Sequence, residues 1–132
     1  MVRWLVMDVV GALGANLFLW AWIAVVPALV VRVRRVPFGA MGMALPGLIL
    51  LHRDMGESVI RHELVHQDQM RRWSPLGAAV LLGLFYGRGF LQHRRLDRST
   101  FMRLYAQNPM ELEANRLMFE GTPLSRHWSW KA

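Results

Sequence analysis

From Val9 to Val31 the chain runs for 23 residues without a charge, VVGALGANLFLWAWIAVVPALVV, interrupted only by Asn16 and Pro27. A stretch of that composition has to leave water. At 1.5 Å per residue it can cross a hydrocarbon core about 30 Å thick, so the sequence predicts a membrane-spanning helix. A cleaved signal peptide fits less well: the flank holds only Arg3 against Asp8, the run exceeds a usual h-region, and no small-x-small site follows. The other alternative is a helix packed in a protein core. Arg32, Arg34 and Arg35 follow the run and only Arg3 precedes it. The positive-inside rule therefore puts the carboxyl-terminal part on the cytoplasmic side of the cytoplasmic membrane. Trp20 and Trp22 fall in the middle of the run, away from either expected interface.

The remaining hundred or so residues amount to one domain. With 54% hydrophobic and 19% charged residues and no repeated block, the chain is neither disordered nor a repeat protein. It has no cysteine, which excludes disulfide scaffolds, thiol nucleophiles and thiolate metal sites. Any metal must be held by nitrogen and oxygen. The net charge of +7 is carried almost wholly by arginine and favours an anionic partner. Because the arginines cluster beside apolar segments (Arg32, Arg34, Arg35; Arg71, Arg72; Arg94, Arg95, Arg98), a phospholipid surface is preferred and nucleic acid is disfavoured. Nothing fixes the oligomeric state.

The expected organisation has three parts. Residues 1–35 form the hydrophobic helix and a basic linker, 36–121 the functional domain, and 122–132 a tail without clear structure. Within the domain, two short apolar runs flank Leu45-Pro46-Gly47 and predict a small β-hairpin. Gly56 to Trp73 reads as an amphipathic helix ended by Ser74-Pro75. The stretch Pro75 to Gly87 is apolar but only about a dozen residues long, a core or interfacial helix. Further helices are expected from about Ser99 to Ala106 and from Asn108-Pro109 to Gly121, the latter with asparagine, proline and glycine at N-cap, N1 and C′. The class is α+β, mainly helical.

The residues with chemistry in them are His62-Glu63-Leu64-Val65-His66, an H-E-x-x-H sequence inside the amphipathic helix. Residues four apart share a helical face, so both imidazoles can reach one metal ion while Glu63 lies beside it. Chance alone, at this composition, yields such a motif about 0.007 times per sequence. Two buried histidines satisfied by hydrogen bonds are the alternative. A third ligand is needed, and the extended motif with glycine and histidine downstream is ruled out because Gln69 and Arg72 stand at those positions. Glu111 is the best candidate, since helical spacing puts it on the face of Ala114, Asn115 and Met118, whereas Glu113 groups with Arg116 and Glu120. Glu111 also stands where a capping-box glutamate would. His93 competes, but Arg94 and Arg95 beside it would repel a divalent ion. Asn115 is a candidate hydrogen-bond partner for a ligand histidine. For stabilising a developing oxyanion, Tyr86, Tyr105, His93 and His127 are available, with Tyr105 preferred as nearest in sequence to Glu111.

HELVH with Gln69 three residues on, followed by NPMELEAN, resembles the gluzincin class of zinc-dependent peptidases, especially their minimal, small-domain members. The likeness covers roughly residues 38–120. It implies a zincin-like domain that binds Zn²⁺ through His62, His66 and Glu111, with Ala114 as the small residue three positions later and Asn115 as the outer hydrogen-bond partner, where aspartate is common. It implies Glu63 as general base and then general acid in peptide-bond hydrolysis, with a peptide or protein as substrate. The strand lining the substrate cleft is carried over to Leu48–Leu51. Two competing readings remain: a catalytically silent, membrane-bound zinc module that keeps the metal for structure or interaction, and an intramembrane protease. The latter suffers from Glu57, Arg61, Asp68, Arg71 and Arg72 around the motif, which are costly in lipid.

Overall fold

The computed structural model describes residues 1–131; Ala132, the end of the expected tail, lies outside them. The chain is an α+β protein, mainly helical, with one small mixed sheet. Helix α1 covers Val2–Val25 and is followed by strand β1, Ala28–Val33. The uncharged run is thus two elements and not one helix. Pro27 explains the break, because a proline drives the preceding residue out of helical geometry, and Val26 is indeed extended at φ −101°, ψ 131°. Beyond it the β-branched Val30, Val31 and Val33 suit a strand.

The early start of α1 also relocates its tryptophans. Trp4 stands in the first turn and Trp20 and Trp22 in the last turn and a half, near both ends of a helix long and apolar enough to cross a membrane. Ile23 is the only residue of α1 that is buried. Its carboxyl end is fastened to the domain: Trp20 Nε1 donates to the Arg71 carbonyl (2.7 Å), and Arg71 in turn caps the helix end by donating to the carbonyls of Ile23 (2.5 Å) and Val26 (3.3 Å).

The sheet has the order β2-β3-β1-β4, with β2 Gly42–Leu45, β3 Leu48–His52 and β4 His127–Lys131. The expected hairpin is present as β2 and β3, with Gly47 at φ +75° after Pro46. Strand β1 is parallel to both β3 and β4, pairing Leu29 with Leu48 and with Trp128. Two expectations are corrected here. The segment assigned to anchor and linker contains a central strand of the domain, and the tail expected to lack structure supplies an edge strand. Ala28, Val30, Ile49 and Leu51 of the sheet meet Ile60 and Leu64 of helix α2, Glu57–Trp73, in the core.

Helix α3, Pro75–His93, turns away from α2 by 104° at Ser74, whose Oγ accepts from Gly77 N–H. It is six residues longer than expected, running through Arg88. Helix α4, Arg98–Gln107, and helix α5, Pro109–Leu117, complete the fold, capped by Asp97 and Asn108. Helix α5 ends before Gly121 because Arg61 gathers the outgoing carbonyls, donating to Met118, Glu120 and Thr122.

Gln67 of α2 is fully buried and clamps the hairpin turn: its Nε2 donates to the carbonyls of Leu45 and Leu48, and its Oε1 accepts from Gly47 N–H (3.0 Å). Gln67→Leu keeps the volume but strands three backbone groups, so unfolding by denaturant should show a loss of about 1–3 kcal/mol. A change of only a few tenths would mean that the turn holds without the clamp.

Candidate metal centre

The motif histidines occupy successive turns on one side of α2, their rings edge to face with centroids 4.9 Å apart. Glu111 comes from the first turn of α5, an end fixed by Asn108, whose Oδ1 accepts from Met110 N–H (3.0 Å), and by Pro109 at the first helical position. The three side chains converge. His62 Nε2 lies 3.2 Å from His66 Nε2 and 3.2 Å from Glu111 Oε2, and His66 Nε2 lies 3.2 Å from Glu111 Oε1. An ion placed about 2.0–2.1 Å from each corner of a tetrahedron has corners about 3.3–3.4 Å apart, close to these spacings. His62, His66 and Glu111 therefore form a group that could hold a metal ion.

The orientation of His66 is set from behind. Gln69 Nε2 donates to the Met110 carbonyl (3.0 Å) and to Glu113 Oε2 (2.8 Å), which turns Gln69 Oε1 toward His66 Nδ1 at 2.8 Å. Nδ1–H then donates to that oxygen, and the lone pair of neutral His66 sits on Nε2, facing the cluster. Burial disfavours the charged imidazole, but hydrogen bonds and charge from Glu111 outweigh it and raise the His66 pKa. Burial likewise opposes the Glu111 carboxylate, yet the facing imidazole nitrogens, which donate to it when they carry a proton, hold its pKa well below the ordinary range.

Glu63 is 6% exposed and points to the neighbouring strand β2. A Cβ on Gly42 would come within 2.7 Å of its Oε1, so only glycine leaves room there, and the Ala44 N–H donates to the carboxylate. Desolvation raises the Glu63 pKa despite the opposing pull of His66 and His62. Beside it, the Met41 carbonyl accepts from His52 N–H (2.9 Å), which makes Met41–His52 and Met43–Leu50 the bonded pairs of the hairpin. The peptide groups of Gly42 and Ala44 consequently face the open edge of the sheet.

Several expectations change at this level. The strand next to the site is β2, not Leu48–Leu51: β3 lies between β2 and β1, with Ile49 and Leu51 fully buried. Asn115 is exposed and makes no side-chain hydrogen bond among the described residues; Gln69 is the partner of the ligand histidine. The reason is that α5 buries Met110 and Ala114 against α2, so its packing face is centred one position away from the face expected. Glu113 consequently flanks that face and bonds Gln69 and Arg72 (3.2 Å), instead of sharing a solvated side with Glu120.

Tyr105 OH donates to Glu111 Oε2 (2.9 Å), and burial together with that negative charge raises its pKa. Tyr86 OH is 3.5 Å from Asn108 Nδ2. His93 is exposed at the end of α3, and His127 lies on β4 at the sheet edge away from β2. On sequence alone Gly42 and Gln67 have no assigned role, and Arg72 belongs only to a basic cluster. A glycine inside a strand is a signal of close approach, and Gly42 was open to that inference.

Comparison with protein-family models, with curated proteins and with solved structures gives no match for this chain. The site therefore rests on its own geometry.

Metal affinity should rank these residues. Glu111→Gln removes a ligand and should cause the largest loss. Gln69→Ala should weaken binding about 10- to 100-fold by freeing His66. Glu113→Gln should act weakly through Gln69, and His93→Ala should have no effect. Zinc titrations of the four variants against a chromophoric chelator measure the order; loss on His93→Ala with retention on Glu111→Gln would reverse the assignment.

Proposed function

We propose that the chain is a zinc-dependent endopeptidase of the gluzincin type, attached by α1 to the cytoplasmic face of the cytoplasmic membrane, its domain a small variant of the zincin arrangement. The observation that carries this reading is the convergence of His62, His66 and Glu111 at 3.2 Å spacings beside the buried carboxylate of Glu63. Two imidazoles and one carboxylate without thiolate suit zinc and leave a fourth position open, as catalytic sites require. A bound zinc ion supplies Lewis acidity there, polarising a carbonyl and acidifying water.

The chain's own groups supply the rest. In this reading Glu63 takes the proton from the attacking water and returns it to the leaving amine, and its burial, which raises its pKa above the ordinary carboxylate value, supports that role. The outward Gly42 peptide groups and the Ala44 carbonyl offer backbone hydrogen bonds to an extended polypeptide laid along β2, which favours unfolded segments of any side-chain sequence. Tyr105, now holding Glu111, has the hydroxyl within one hydrogen bond of the ligand set and is the donor assigned to the developing oxyanion.

One observation favours a second reading, the catalytically silent zinc module. The bonds of Gln69 to His66, Met110 and Glu113 join α2 to α5 whether or not chemistry occurs, as a structural staple would. Glu63→Gln separates the two. In an endopeptidase this substitution leaves zinc occupancy near that of the unaltered protein and lowers turnover of unfolded polypeptide by about 10²- to 10⁴-fold. A silent module shows no turnover before the substitution either, and loss of zinc on Glu63→Gln would assign that residue to the metal or to folding.

A further inference from the structure

Helix α3 presents an outward face that the domain does not use. Its inner side packs on α4, where Gly89 meets Leu104 so closely that any Cβ would collide. Its outer side leaves Val80 51%, Leu84 66% and Leu91 80% exposed, with Arg88 and Gln92 the only polar side chains among them. Such a face needs a cover. Two occupants fit an apolar helix: a bilayer, or a second copy approaching through Gly83 and Gly87, four residues apart on the same side.

Three observations select the bilayer. First, α3 is joined to α1 at its start: Asn16 Nδ2 donates to Ser74 Oγ (3.2 Å) and Asn16 Oδ1 accepts from Leu76 N–H (2.8 Å). Secondly, Trp4 and Trp22 are about 27 Å apart along α1, near the thickness of a hydrocarbon core, and Asn16 lies about 9 Å to the inner side of Trp22. The start of α3 is therefore held below the level of the tryptophan belt. Thirdly, Arg88, Arg94 and Arg95 gather at the carboxyl end of α3 with no acidic residue between Asp68 and Asp97, so that end complements anionic headgroups.

We infer that the outward face of α3 is embedded in the lipid bilayer beside α1, as a second membrane element lying in the interface. This rests on the membrane reading of α1. It deepens the proposed function, because the inner side of the same helix reaches the metal cluster: Tyr86 stacks on Phe101 (5.3 Å between centroids), Phe101 lies 6.3 Å from Tyr105, and Tyr105 bonds Glu111. The cluster is held at the membrane surface, and the polypeptide it meets first is one emerging from the bilayer.

The absence of cysteine makes the test direct. The full chain is reconstituted in phosphatidylcholine–phosphatidylglycerol vesicles with a single fluorophore on Val80→Cys, Leu84→Cys or Leu91→Cys. Leu13→Cys on α1 and Glu57→Cys at the far end of α2 serve as references. Nitroxide lipids should quench the three α3 labels and the Leu13 label, whereas aqueous iodide should quench only the Glu57 label. Iodide quenching of the α3 labels with lipid quenching at Leu13 overturns the inference and leaves α1 in the membrane. Iodide quenching at every position removes the membrane reading as well. Protection of the α3 labels from both quenchers, with disulfide cross-linking between chains carrying Gly83→Cys, replaces the bilayer by a second copy and also overturns it.

Discussion

The Gln69 side chain is the joint on which the convergence of His62, His66 and Glu111 depends. Glu111 and the two histidines come from helices separated by some forty residues of chain, so nothing local holds them within 3.2 Å of one another. Gln69 does this with one amide: its NH₂ group engages Met110 and Glu113 on α5, and its oxygen engages His66 on α2. The residue is 1% exposed, so these bonds form away from water, where a missing partner costs about 1–3 kcal/mol. The same amide sets the distance between the helices and the tautomer of the ligand histidine. Arg72 extends the joint by pairing with Glu113, and that outer pair is the more exposed and the weaker part.

The same end of α2 answers a second constraint, the junction with α1. Helix ends leave carbonyls without partners, and those of α1 lie against protein on one side. Arg71 meets two of them while its first guanidinium nitrogen pairs with Asp68 (3.0 Å). Asp68 thus fixes the rotamer of the side chain that caps α1. A helix with a single buried residue is in this way oriented by polar contacts at Asn16, Trp20 and its last carbonyls, together with Trp22 and Ile23 beside the hairpin turn at Gly47. Any displacement of α1 is passed to α2 and so to the histidines that α2 carries.

Much of this was legible in the sequence because it is local. Proline and asparagine at helix starts, proline and glycine at the hairpin turn, and the four-residue spacing of His62 and His66 each act within a few residues. What could not be read was set by distant pairing. Ala28–Val33 looks like the end of an apolar helix until β3 and β4 are seen to flank it, since the strand alternates in burial, with Ala28 and Val30 inside and Leu29 exposed, while its residue types stay apolar through Val31. The strand His127–Lys131 exists only because β1 offers an edge. On α5, helical spacing selected Glu111 over Glu113 but misplaced the centre of the buried face by about one residue, enough to assign the histidine's partner to Asn115 in place of Gln69. Angular arithmetic of that kind resolves opposite sides of a helix and not neighbouring ones.

Gly42 shows what the arrangement gives up to bury a carboxylate. A carboxylate 6% exposed is expensive, and it is usually relieved by a cation or by several donors. Glu63 has one backbone donor, from Ala44, and two imidazoles nearby, and its pKa remains raised. The strand beside it is also weakened, because a glycine in an edge strand contributes no side-chain packing and loses more backbone freedom on folding. An alanine at position 42 would strengthen the strand and displace the carboxylate. A fold selected for stability alone would carry the alanine and an apolar residue at position 63. Keeping both the glycine and the buried acid beside three converging ligand atoms is the pattern expected where stability has been exchanged for a reactive group.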